Sequence, residues 1–247
     1  MTIIICAIIA FIIVLNSVII PSNKYKAAME LYNAGEYEEA FEAFEALGGY
    51  KDSIEKTNIA RIQVANVGDT IIFGTYEQDN DTSNGKEDIE WLVLAKEDGK
   101  LLVISDKALD CQPYNITYEK TTWEQCSLRK WLNETFINDT FSENEQTLIL
   151  STAVSADKNP LYNTNPGEET IDKVFLLSIS EAEKYFSSND ARKRVPTAYA
   201  KAQGVHTSDR YSVDCRPSCW WWLRSPGIDQ IYAARVVDDG DIREDGD

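Results

Sequence analysis

Apolar positions along this chain follow one of three patterns: unbroken, helically spaced or alternating. The unbroken stretch is Ile3 to Ile20, IIICAIIAFIIVLNSVII, whose length as a helix matches the hydrocarbon core of a bilayer. Pro21, Ser22 and Asn23 mark the expected exit into water. No small-x-small cleavage site follows the run, which favours an uncleaved anchor over a signal peptide. Lys24 and Lys26 follow it and no Lys or Arg precedes it, so the charge bias runs against an external C-terminus. A single-pass anchor in the cell membrane with an extracellular domain is the expectation nonetheless.

Helical spacing begins next. Ala28, Leu31, Gly35, Tyr37, Ala40, Phe44 and Leu47 recur on one face and are broken at Asn33-Ala34-Gly35, which predicts a helical hairpin within residues 24–66. Alternation takes over near Val67. Asp69–Tyr76, Glu90–Ala95 and Lys100–Ser105 read as strands of an antiparallel sheet, with Glu97-Asp98-Gly99 as a hairpin turn. An amphipathic helix is predicted from Thr122, with Trp123, Cys126, Leu128, Trp131, Leu132 and Phe136 on its inner face. Ser142 with Glu145 signals a capping box for a second helix, and Ser180 with Glu183 signals another. Lys173–Ser178, Cys219–Arg224 and Ala233–Val237 complete the predicted strands, with turns at Ser225-Pro226-Gly227 and Asp239-Gly240. The fold class is α+β: one twisted antiparallel sheet with flanking helices, preceded by the hairpin and a transmembrane helix, in segments 1–23, 24–66 and 67–247.

Composition narrows the function classes. The 247 residues carry 24 Lys+Arg against 41 Asp+Glu, a formal net charge of -17 that repels phosphate backbones and excludes nucleic acid as an expected partner. Outside the anchor lie Cys111, Cys126, Cys215 and Cys219, which an exported chain could join as two disulfides or keep as buried thiols. Cys215-x-x-x-Cys219 lacks the ligand pairs of a structural zinc site. The loop Asp79–Gly85 with Glu90 imitates a calcium loop, but its glycine comes one place late and strands flank it, so an ordinary polar connection is expected. No metal or cofactor is implied. His206 is the single histidine, in a polar stretch without a nucleophile-elbow or phosphate-loop motif, and no catalytic residue is assigned.

Order and spacing in the predicted hairpin resemble a single tetratricopeptide repeat, which is either a spacer or a peptide-binding groove. A further resemblance is carried by Gly68-Asp69, Phe73-Gly74, Glu90-Trp91, the stretch Leu128-Arg129-Lys130-Trp131-Leu132-Asn133 with Phe136, Asp172–Ser178, and above all Trp221-Trp222-Leu223-Arg224-Ser225-Pro226-Gly227. These residues resemble the bacterial family called domain of unknown function 6273, whose members are commonly attached to anchors or repeats. The last motif, with the small-residue strand after it, is also similar to C-type-lectin-like domains, which implies ligand display. Formylglycine-generating enzymes share that lectin-like fold, so an enzyme using Cys or carboxylate chemistry stays open as an alternative, as does a purely structural scaffold. The expected function is ligand binding without catalysis, the ligand being a glycan, peptide or protein and the membrane being met through the N-terminal helix. Trp220, Trp222, Arg224, Asp229, Gln230, Tyr232 and Arg235 are the candidate contacts. Measured against both resemblances, the chain stops at Asp247 before an expected closing strand.

Overall fold

The computed structural model describes residues 15–246. Most of the expected anchor, Ile3–Ile20, lies outside them; among the described residues no helix is long and apolar enough to cross a membrane. A π turn, Leu15–Ile19, leads into α1 (Ile20–Ala34), where Pro21 occupies the first turn, a place that needs no backbone N–H. Gly35, at φ 80, ends α1 in the left-handed conformation and turns the chain into α2 (Tyr37–Glu45). Phe44 is fully buried beside Ala28 and Ala40, small residues that let the two helices approach. Tyr25 meets Phe44 edge-on at 5.9 Å, and Tyr32 meets Tyr37 at 5.4 Å. A third helix, α3 (Ser53–Val64), was absent from the hairpin expectation: its apolar residues have no single face, and it is fastened by Arg61, which lies over the Phe41 ring and pairs with Glu45 at 3.6 Å.

The described residues form two compact units, one running to Ile72 and taking in Leu92–Val103, the other made of Phe73–Trp91 and the residues from Ile104 onward. Strands β1 (Thr70–Tyr76), β2 (Glu87–Glu97) and β3 (Lys100–Ser105) follow in that order as a three-stranded sheet. Asp98 and Gly99, both at positive φ, make the tight turn between the last two. Beyond β4 (Lys107–Ala108) comes a helical run, α4 (Ser127–Trp131), a π turn over Leu132–Phe136 and α5 (Ile137–Thr140). It starts later than the predicted Thr122. The Thr122 carbonyl accepts the N–H groups of Gln125 and Cys126 in a separate turn, and the Cys126 sulfur caps α4 by accepting the Arg129 N–H.

The second unit holds the main core: Tyr76, Ile89, Tyr114, Trp123, Cys126, Leu128, Leu132, Phe136 and Phe141 are buried together, with Trp91, Trp131 and Trp222 packed against them. The capping box of α6 (Glu143–Leu148) is formed by Ser142 and Glu145 as expected. Strands β5 (Thr152–Val154) and β6 (Thr170–Asp172) pair antiparallel. Residues 173–178 are not the predicted strand, because the side chain of Asn133 takes their backbone groups instead, accepting from Lys173 and Val174 and donating to Val174. Helix α7 (Ile179–Tyr185) is capped two residues earlier than predicted, by Ser178 with Glu181; the Ser180 hydroxyl faces Asp157. After α8 (Asn189–Arg192), the short β7 (Val195–Pro196) runs parallel to β4, and α9 (Ala198–Ala202) follows it.

Cys219 closes a hairpin of β8 (Thr207–Val213) and β9 (Arg216–Cys219), so the closing strand β10 is Trp221–Pro226 rather than Cys219–Arg224. With β11 (Ala233–Val236) and β12 (Ile242–Gly246) it forms an antiparallel sheet in the order β10-β11-β12. The hairpin about Asp239-Gly240 is therefore flanked by β10. The architecture is α+β with small, mainly antiparallel sheets; the single twisted sheet is replaced by two of three strands and three of two, among the described residues. Cys111, Cys126, Cys215 and Cys219 are free thiols.

Candidate functional site

The W-W-L-R-S-P-G string is built into the interior. The indole N–H groups of Trp221 and Trp222 donate to the carbonyls of Arg192 and Gln112, and Leu223 is wholly buried. Arg224 is 3% exposed, with its guanidinium on Glu181 and Asp157 and on the carbonyls of Ser155 and Leu176. It is held as a structural cation, with no face left for a ligand. Burial opposes ionisation of Asp157, yet hydrogen bonds from Ser178, Ser155 and Ser180 and the Arg224 charge hold its carboxyl below the usual range. The Ser225 hydroxyl accepts the Ile179 N–H, which ties the strand to the start of α7.

Trp220 is likewise engaged within the protein. Its N–H donates to Asp238 at 2.9 Å, its ring meets His206 at 4.0 Å, and the Arg235 guanidinium lies 4.2 Å from the ring centre. Arg235 also pairs with Asp245. Four of the seven candidate contacts, Trp220, Trp222, Arg224 and Arg235, thus serve the packing of β10 on its surroundings.

The other three, Asp229, Gln230 and Tyr232, fall on the connection between β10 and β11, where the structure opens a groove of about 200 Å³. Tyr114, Ile116, Tyr118 and Glu119 of the 113–121 loop form one side, and Ile231 with Tyr232 the other. Ile116 is 79% exposed and Tyr118 68%, so large apolar faces meet solvent here. Tyr114 is the buried floor: its ring packs on Trp222 at 5.7 Å, and its hydroxyl donates to the Arg224 carbonyl.

Each wall is also pinned by hydrogen bonds. Thr121 N–H donates to the Gln230 carbonyl, and the Gln230 side-chain amide returns to the carbonyls of Thr121, at 2.7 Å, and Asn165, at 3.0 Å. The Ser127 hydroxyl at the head of α4 accepts the Ile116 N–H, and the Asn115 side-chain oxygen Oδ1 accepts the Ser127 N–H. Asn159 and Thr164 donate to the carbonyls of Pro226 and Gly227, which fastens the 159–167 loop, with exposed Leu161 and Tyr162, to the end of β10. Gly227 permits a close approach: a Cβ there would stand 2.2 Å from the Glu244 carbonyl oxygen. Gln230 is a brace, while Tyr232, hydrogen-bonded to Tyr118 through their hydroxyls, lines the groove. The sequence reading missed the 113–121 wall. Its signal was Pro113-Tyr114-Asn115-Ile116-Thr117-Tyr118, a loop unusually rich in large apolar side chains.

A second cluster stands on the β1–β2 connection. Carboxylate oxygens of Glu77, Asp79 and Glu87 lie within 4.8 Å of one another, a different set from Asp79, Asp81 and Glu90 of the calcium-like spacing. Glu90 instead pairs with Lys107 at 3.9 Å. Glu87 accepts the Gln78 N–H at 2.6 Å, and Glu77 and Asp79 both accept the Asp81 N–H. Hydrogen bonds from the Asn84 amide and the Asp81 N–H hold the Asp79 carboxyl below its usual range. These bonds clasp the loop.

Two of the four thiols are buried and hard to ionise. Cys219 is fully buried and burial pushes its thiol up to about 12; burial takes Cys126 to about 11. Both are protonated at neutral pH. Cys215 is exposed, on the tight turn between β8 and β9.

A family model described as domain of unknown function (DUF6273) matches residues 98–246. Gly68-Asp69, Phe73-Gly74 and Glu90-Trp91, expected as part of that resemblance, precede the matched range. Neither curated proteins nor solved structures supplied a match.

Proposed function

The chain belongs to the DUF6273 family, and on that footing we propose that its domain is a binding module, held at the membrane by the N-terminal apolar segment, that retains a ligand in the 113–121 and 228–232 groove without altering it. One observation carries the reading: exposed aromatic and aliphatic side chains converge on a groove whose walls are already fixed by side-chain hydrogen bonds. A pre-ordered wall avoids part of the entropy lost on binding, and tyrosines offer wide contact surfaces with few rotatable bonds. The family motif supports the loop from beneath, through Trp222 under Tyr114 and Gly227 against Glu244.

The ligand class under this reading is a peptide, a protein segment or a glycan, each of which stacks well on tyrosine. Glycan and peptide arrays probed with the full chain in neutral detergent, beside Tyr118→Ala and Tyr232→Ala variants, test it. Retention by the wild type and loss in both variants is the expected outcome. Equal retention by all three would place binding elsewhere.

A further inference from the structure

We propose that the groove recognises a cationic side chain, arginine or lysine, presented by a basic peptide segment. This deepens the binding-module reading and rests on it. Three tyrosines, Tyr114, Tyr118 and Tyr232, are in the lining, and Glu119 is the one charged side chain in it among the described residues. The Thr117 hydroxyl donates to one Glu119 oxygen at 2.6 Å and so orients the carboxylate, whose second oxygen can accept from a further donor. Aromatic faces attract cations through their quadrupoles, and a carboxylate beside them adds a charge-assisted hydrogen bond. An anionic ligand would meet both effects with the wrong sign.

Charge around the groove points the same way. Glu168, Glu169 and Asp229 are exposed on the adjoining loops against Lys120 and Lys158, within a chain of net charge -17. Such a field attracts basic segments at long range and weakens with salt. Size and neighbours select a peptide as the source. About 200 Å³ admits one long side chain, while exposed Ile116 in the lining and exposed Ile228, on the connection that carries Tyr232, offer apolar contact to residues flanking it.

The test is fluorescence anisotropy of the full chain in neutral detergent with short labelled peptides, identical except for a central arginine, lysine or norleucine, alongside competition by free choline. Binding of the arginine and lysine peptides, at least threefold tighter than norleucine and weakened by salt, is expected. Tyr118→Leu and Glu119→Gln should each weaken it roughly three- to tenfold, the range of an exposed cation–aromatic or charge-assisted contact, and Tyr118→Phe, which keeps the aromatic face, should weaken it less than Tyr118→Leu. Unchanged thermal unfolding of the variants guards against a folding defect. Equal binding of the norleucine peptide, or Tyr118→Leu matching Tyr118→Phe, overturns the cation assignment and leaves the binding module standing. Choline binding without peptide binding overturns the peptide source. A glycan retained on the array with no peptide bound also defeats this inference alone, and no retained ligand of any kind defeats both.

Discussion

Gly227 shows how one residue can set the groove. An alanine there would bring its Cβ to 2.2 Å from the Glu244 carbonyl oxygen and 2.6 Å from Tyr232 Cβ, and the first contact is backbone that cannot step aside cheaply. Gly227→Ala is expected to cost about 1–3 kcal/mol, as other overpacked sites do, and to shift Tyr232. Urea unfolding reads the first effect, and an unchanged midpoint would mean that the loop yields without strain. Arg224 makes the complementary case. Its replacement by methionine keeps most of the volume but leaves Glu181 and Asp157 without their cation. Breaking a buried pair costs about 3–5 kcal/mol. The two carboxylates are about a quarter exposed, so a loss of about 2–4 kcal/mol is expected for Arg224→Met. A stability equal to wild type would show that water alone satisfies them.

Among the elements, the carboxylates around α7 and β10 link stability to pH. Asp157 has a folded pKa below its unfolded one, so its contribution is present above the unfolded value and is lost as pH falls through the folded one. Asp238 acts in the same sense: burial opposes its ionisation, but hydrogen bonds from Trp220 and Ser208 outweigh it. Glu244, raised chiefly by burial, acts oppositely and gains stability as it protonates. The unfolding midpoint should therefore decline as pH drops below about 5, and less steeply in Asp157→Asn. A slope identical to wild type would remove Asp157 from the account. Which elements were legible follows from how local their causes are. Gly35, Asp98-Gly99 and the Ser142–Glu145 box act within a few residues, and each was placed correctly. Residues 173–178 misled because Lys173-Val174-Phe175-Leu176-Leu177-Ser178 has strand composition, while the partner for its backbone is Asn133, 40 residues earlier. Similarly, Trp220, Trp222 and Arg224 looked like a ligand face because alternation ignores the bulge between Trp222 and Pro226 and the partners that α7 supplies.

For the whole molecule, the groove exists because distant segments meet. Tyr118 and Tyr232 are 114 positions apart, joined through Thr121, Gln230 and Asn165. Tyr232 was picked from its neighbourhood to the family motif; Tyr118 could not be, since nothing local says which strand its loop will face. That motif supports and the less regular loops make the contacts under the proposed function, as expected where a rigid scaffold carries variable loops. Amide chemical-shift mapping with an array-selected ligand, followed by mass spectrometry of the ligand recovered after incubation, tests this most directly. Shifts concentrated in residues 113–121 and 228–232, with the ligand recovered intact, are predicted. Shifts centred on Cys215, His206 or the Glu77–Asp79–Glu87 cluster, or a ligand recovered chemically changed, would contradict it.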